Sequence, residues 1–191
     1  MIIKLKSHSG EKKKIFAFSD THGNHRQVVI PKNIETIVFA GDACDCGDER
    51  QLADFFDWFS SLPAKNKLFV PGNHDLPFPL CLEPEILKKM APENVIYMDE
   101  GKIILEDIHF YVLPVRPWMD GVSWLPAGMD VLITHGAPSG ILDETPFGCP
   151  ILRELVEEAK PKIHIFGHIH SKGGQSVRMN KTKFYNVSVC K

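Results

Sequence analysis

The chain has 191 residues, 43% of them hydrophobic, and a formal net charge of −2. That length fits a single domain, residues 1–191, with a substantial core. The near balance of charge argues against a nucleic-acid partner or an anionic membrane surface. No apolar run approaches the roughly 18 residues needed to cross a bilayer. The N-terminal lysines are not followed by an apolar leader, and the five cysteines lack a regular framework. Reduced thiols and a cytoplasmic setting are therefore expected.

Taken in order, Ile2–Leu5 and Lys14–Phe18 read as an opening hairpin around Gly10. The Lys12-Lys13-Lys14 run is its solvated entry rather than a binding patch. Short apolar runs at Ile37–Phe39 and Leu68–Val70 read as strands. Between them, Glu49–Leu62 puts Leu52, Phe55, Phe56, Phe59 and Leu62 on one face at helical spacing, and Pro63 stops it. A second helix is predicted over Pro84–Met90. Strands follow at Val95–Met98, Lys102–Leu105 and His109–Leu113, the last two joined by a tight Glu106-Asp107 turn. Strands at Val131–Ile133 and Ile163–Phe166 flank a helix, Pro150–Ala159, that buries Leu152, Leu155, Val156 and Ala159. A hairpin of Gln175–Met179 and Lys183–Val189, turning at Asn180-Lys181, comes last. The first half alternates strand and helix, and the second adds antiparallel hairpins. This mixed α/β (α+β) pattern suits two sheets packed face to face with helices outside.

Five polar clusters stand out because each follows a predicted strand: Asp20-Thr21-His22, Gly41-Asp42, Gly72-Asn73-His74-Asp75, His135-Gly136 and Gly167-His168-Ile169-His170. Side chains at the ends of neighbouring strands converge in space however far apart they lie in sequence. Carboxylates, imidazoles and an amide are the donors that hold divalent metals, and a carboxylate can bridge two of them. Five of the nine histidines sit in these clusters. A lone histidine is more often structural, but an ordered set of motifs is specific. His8, His109 and His164 get the structural reading, while His25 is weighed as a substrate contact because it follows the first cluster closely.

The ordered motifs resemble those of the calcineurin-like metallophosphoesterase superfamily: D-x-H, GD, GNH followed by an acid, H, and GHxH. The run Thr134–Asp143, the Gly148-Cys149 pair and Pro161–His170 narrow the resemblance to small metallophosphoesterase-domain proteins linked to class III cyclic nucleotide phosphodiesterases. The resemblance implies a four-layer α-β-β-α sandwich with two mixed sheets flanked by helices. It implies that Asp20, His22 and His170 hold one metal, that Asn73, His135 and His168 hold another, and that Asp42 bridges them. The two divalent ions would be manganese, iron or zinc. A hydroxide between them would attack phosphorus, while His74 stabilises the transition state and protonates the leaving oxygen. Asp75 is expected to orient the His74 ring.

The activity these residues imply is that of a metal-dependent phosphohydrolase, above all a phosphodiesterase on a small phosphodiester or nucleotide. The alternatives are a phosphomonoesterase, a nucleotide pyrophosphatase, or a binding scaffold that has lost catalysis; the last should show broken ligand positions, and none is broken here. Arg116 is a candidate for binding substrate phosphate. Trp118 and Trp124 are read as packing residues before base-stacking ones, and Cys44 and Cys46 as loop residues before a metal pair. The Pro117–Gly128 connection looks short beside the eukaryotic members of the subgroup, so leaving-group preference does not carry over with the metal site. A homodimer stays open.

Overall fold

The computed structural model describes residues 1–75, 84–113 and 124–190. The first sheet has the order β1 (Ile2–Lys6), β2 (Lys12–Phe18), β3 (Thr36–Ala40), β4 (Asn66–Val70) and β5 (Ile96–Tyr97). Only the β1–β2 hairpin is antiparallel. The second sheet comprises β6 (Gly101–Leu105), β7 (Ile108–Val112), β8 (Val131–Ile133), β9 (Ile163–Phe166), β10 (Ser176–Met179) and β11 (Thr182–Asn186). Its order is β10-β11-β9-β8-β7-β6, with parallel pairing from β7 through β11 and an antiparallel hairpin at each edge. The turn between β6 and β7 places both Glu106 and Asp107 at positive φ, the geometry of a two-residue hairpin turn.

Alternation along the strands sorts the core into three layers of side chains. Ile15 and Ala17, Val38 and Ala40, and Leu68 and Val70 point between the sheets, meeting Phe110, Val112, Val131, Ile133, Ile163 and Ile165. Phe16, Phe18, Ile37, Phe39 and Phe69 point the other way, onto Leu52, Phe55, Phe56 and Phe59 of α1 (Glu49–Ser61) and Leu87 of α2 (Pro84–Met90). On the opposite face Leu132, Phe166 and Phe184 meet Leu152 and Val156 of α3 (Pro150–Ala159). Strands buried on both faces read as continuous apolar runs, which is why β3 and β4 are visible in the sequence without alternation. The result is helix, sheet, sheet, helix, as expected.

Helix ends follow local chemistry. The Asp48 carboxylate accepts the backbone N–H groups of Arg50 and Gln51 at the start of α1. Cys149 Sγ accepts from Leu152 N at the start of α3, and Pro150 occupies its first turn. The predicted strand at Val95–Met98 shrinks to the two residues of β5, since only Ile96 and Tyr97 pair with β4. Past β11, the chain crosses to the first sheet: Ser19 N donates to Val187 O and Val189 N to Ser19 O. This crossing ties the two sheets together at the end of β2, where the first polar cluster begins.

Candidate metal centre

The parallel strands β2, β3, β4, β8 and β9 all deliver their polar clusters to one edge of the sandwich. Three groups of possible ligands form there: His22, Asp45 and His74, and two triads made of predicted ligands alone. In one, the ligand atoms of Asp20, His22 and His170 lie within 4.8 Å of one another, and in the other those of Asp42, His135 and His168 do. Asp42 joins them, its Oδ2 3.1 Å from His135 Nε2 and 4.0 Å from His22 Nε2. Asn73 enters through Oδ1, 3.0 Å from His135 Nε2. All seven predicted ligands are thus brought together.

The backbone reaches this geometry by bending sharply beyond each strand. Asp20, His22, Asp42 and His168 all have positive φ, a region that side chains other than glycine's occupy only at a cost. Their concentration at one edge marks a site, since strain of this kind collects where function needs it. Gly41 and Gly72 cross in contact: a Cβ on Gly72 would strike the Asp42 carboxylate, and one on Gly41 would strike the His135 ring.

Two histidines are held with one nitrogen turned outward. His135 Nδ1 lies 2.8 Å from Ala40 O, and its Nε2 faces Asp42 and Asn73. His22 Nδ1 lies 3.0 Å from Asp45 Oδ1, and its Nε2 faces His170. Each arrangement donates an Nδ1–H to an oxygen and aims Nε2 at the centre, the usual support for a metal-binding imidazole. Sequence reasoning misses Asp45. Its place three residues beyond Asp42 is the only available signal.

The charges point the same way. Asp20 and Asp42 are each 1% exposed, and among the described residues neither has a lysine or arginine partner. Burial works to raise the Asp42 carboxyl, but His135 and the His74 N–H hold it well below the usual range. Burial works to lower the His135 imidazole, but Asp42 holds it up, at about 9. His168 is pushed down to about 4 by burial and by its neighbour His135. Buried carboxylates with no fixed cation, faced by imidazole and amide donors, are the donor set a pair of divalent ions requires.

Asp75 does something other than orient the His74 ring. It is fully buried, and its two oxygens accept backbone N–H groups from Asp42, Gly72, Ala43 and Cys44. With these donors engaged, the carboxylate fixes the backbone that presents Asp42. Burial, and Asp42 close by, raise its pKa. His74 sits half-buried, its ring edge-on to His22 at 4.9 Å and its backbone N–H donated to Asp42 Oδ1.

His25 is corrected as a substrate contact. Its side chain is 1% exposed, wedged against Phe55 and Trp58, with Nε2 3.1 Å from Asp54 Oδ2. Burial lowers its pKa, and the ring belongs to the packing over α1. Arg116 and Trp118 lie outside the described residues, and Trp124 is 64% exposed rather than packed. Cys44 is buried with its thiol pushed up by burial and by Asp75, which suits an inert loop residue. His164 turns out to support the site indirectly. Its Nε2 lies 2.9 Å from Thr134 Oγ1, and Thr134 donates to Gly136 O, bracing the turn that carries His135.

A sandwich with a two-triad edge of this kind defines a metallophosphoesterase fold. The chain belongs to the calcineurin-like phosphoesterase family, matching it over residues 13–172. It is 30% identical over 213 residues to human metallophosphoesterase domain-containing protein 1, covering 90% of this chain but only 64% of that protein's length. It is 29% identical to UPF0046 protein C25E10.12 of Caenorhabditis elegans, covering 94% of this chain and 76% of that one. The fold also matches the TT1561 protein of Thermus thermophilus, with a TM-score of 0.59 at 15% identity over 91% of this chain and 88% of that one. The family is described as one of phosphoesterases, a class whose cofactors are divalent metals, and the chain spans under two thirds of the length of human metallophosphoesterase domain-containing protein 1. Among the described residues no helix is long and apolar enough to cross a membrane.

Proposed function

We propose that the chain is a dinuclear metal-dependent phosphodiesterase acting on small phosphodiesters. The observation that carries this reading is Asp42, a buried carboxylate of one triad whose Oδ2 also lies 4.0 Å from His22 Nε2 of the other. Asp20, His22 and His170 would hold one ion, and Asn73, His135 and His168 the other, with Asp42 shared. When bound, two such ions lower the pKa of a water between them and neutralise phosphate charge. The chain's own residues then set the geometry. Asp75 holds the Asp42 backbone, Asp45 and Ala40 O fix the rings of His22 and His135, and His74 at the rim donates a proton to the leaving oxygen.

Two depressions have predicted ligands in their walls. One, of about 720 Å³, includes Asp20, Thr21, Asn24 and Gln27 in its wall. The other, of about 410 Å³, includes His168 and His170. Open space beside the ligands supports a phosphodiester, which carries two substituents and one negative charge. A monoester is largely dianionic near neutral pH and would favour further cationic groups. A phosphomonoesterase or nucleotide pyrophosphatase is the second reading from the same family chemistry. The test is turnover of bis(4-nitrophenyl) phosphate against 4-nitrophenyl phosphate at saturating manganese. A higher kcat/KM for the diester supports the proposal, and a higher value for the monoester overturns it.

A further inference from the structure

We infer that Phe147 forms one wall of a subsite for a planar, uncharged aromatic substituent of the phosphodiester. This deepens the diesterase reading and rests on it.

The run Thr134–Asp143 and the Gly148-Cys149 pair stand out in the sequence, yet the metal centre uses only His135 from them. The rest builds a closed loop. The Asp143 carboxylate accepts Gly140 N at 2.6 Å and Gly148 N at 3.0 Å. Ser139 N donates to Cys149 O, Cys149 N to Ala137 O, and Phe147 N to Glu144 O. Gly148 lies so close to Asp143 and Ser139 that a Cβ there would collide with both. A loop fastened at this many points holds its side chains in fixed positions.

This loop leaves Phe147 56% exposed, although Ile141 and Cys149 on the same loop are buried in the core. Phe147 shares the 410 Å³ depression with Glu144, His168, Ile169, His170 and Ser171. Its volume lies within the roughly 300–1,000 Å³ of small-molecule sites. His170 belongs to one triad and His168 to the other, so a phosphate held between the triads would extend one substituent toward Phe147. An exposed aromatic face gains most from a flat partner. The remaining charged wall is acidic: Ser171 Oγ donates to Glu144 Oε1. A carboxylate there repels a second phosphate and accepts N–H donors, so the fitting class is an aryl group or a nucleobase rather than a phosphorylated sugar.

The test compares two phosphinates of equal charge, which have no ester bond to cleave. Diphenylphosphinate and dimethylphosphinate are titrated by calorimetry into manganese-loaded protein, and are also assayed as competitive inhibitors. Wild-type protein should bind diphenylphosphinate the more tightly. Phe147→Ala should weaken diphenylphosphinate roughly three- to tenfold, the scale of one aromatic contact, while dimethylphosphinate binding stays unchanged. Phe147→Trp should keep tight binding, and Phe147→Leu should not. Equal weakening of both phosphinates, or no change for either, would overturn the subsite while leaving the metal centre standing. Failure of manganese-loaded wild-type protein to bind either phosphinate would bring down the functional reading and this inference together.

Discussion

Strand β8 begins and ends at a buried carboxylate or imidazole, and the two ends solve the problem of buried charge differently. At its start, Asp130 is 1% exposed and meets Lys162 Nζ at 2.6 Å, His8 Nε2 at 2.8 Å and the His109 backbone N–H at 2.9 Å. The His8 and His109 rings stack at 4.2 Å, so hairpin β1–β2 is fastened to the second sheet. At its other end, His135 meets buried Asp42 at 3.1 Å, and buried Asp20 and Asp75 lie near enough to act on the same charges. Among the described residues no lysine or arginine pairs with Asp20 or Asp42. Both ends offer His and Asp atoms close enough to hold a metal. The difference is the fixed cation. Lys162 completes the first cluster as a structural staple, whereas the second matches the donor set of the family's divalent cofactors. Residue type alone therefore does not identify a metal site; what balances the carboxylate does.

That contrast can be broken by substitution. Asp42→Asn should have the largest effect, because it removes the charge shared by both triads. Metal analysis should find both ions lost after dialysis, and turnover should fall by at least roughly 10²-fold, the scale for lost electrostatic stabilisation. His74→Ala should retain metal while turnover falls roughly 10²–10⁴-fold. The loss should be smaller for a nitrophenolate leaving group than for an alkoxide, which needs its proton more. Asp45→Ala should cost about 10–100-fold in affinity for the ion among Asp20, His22 and His170, read by competition with a chelator, since His22 loses its outer partner. Asp130→Asn should be the mildest. It should lower unfolding stability by about 1–3 kcal/mol in a denaturant titration and leave metal content and turnover unchanged.

The architecture is legible in the sequence where periodicity is strong. The Leu52-Phe55-Phe56-Phe59 stripe specifies a helix on a sheet, and the apolar runs of β3, β4, β8 and β9 specify buried strands. The ordered clusters disclose which side chains converge, because position at a strand end already determines convergence. The direction a polar side chain faces is not legible. Asp75 follows His74 in the chain, but its carboxylate turns to four backbone N–H groups of the Asp42 and Gly72 turns. His25 lies three residues beyond His22, but a short helical turn, His25–Gln27, rolls it under α1 and away from the centre. Asp45 and His164 act on the site through His22 and Thr134, contacts that exist only once separate strands are side by side.

If two ions assemble around Asp42 and none at Asp130, anomalous diffraction from manganese-soaked crystals should show two peaks, one among Asp20, His22 and His170 and one among Asn73, His135 and His168, with the Asp42 carboxylate between them and no peak beside His8 and His109. A single ion, a pair not shared by Asp42, or a peak at Asp130 with Lys162 displaced would rule this arrangement out.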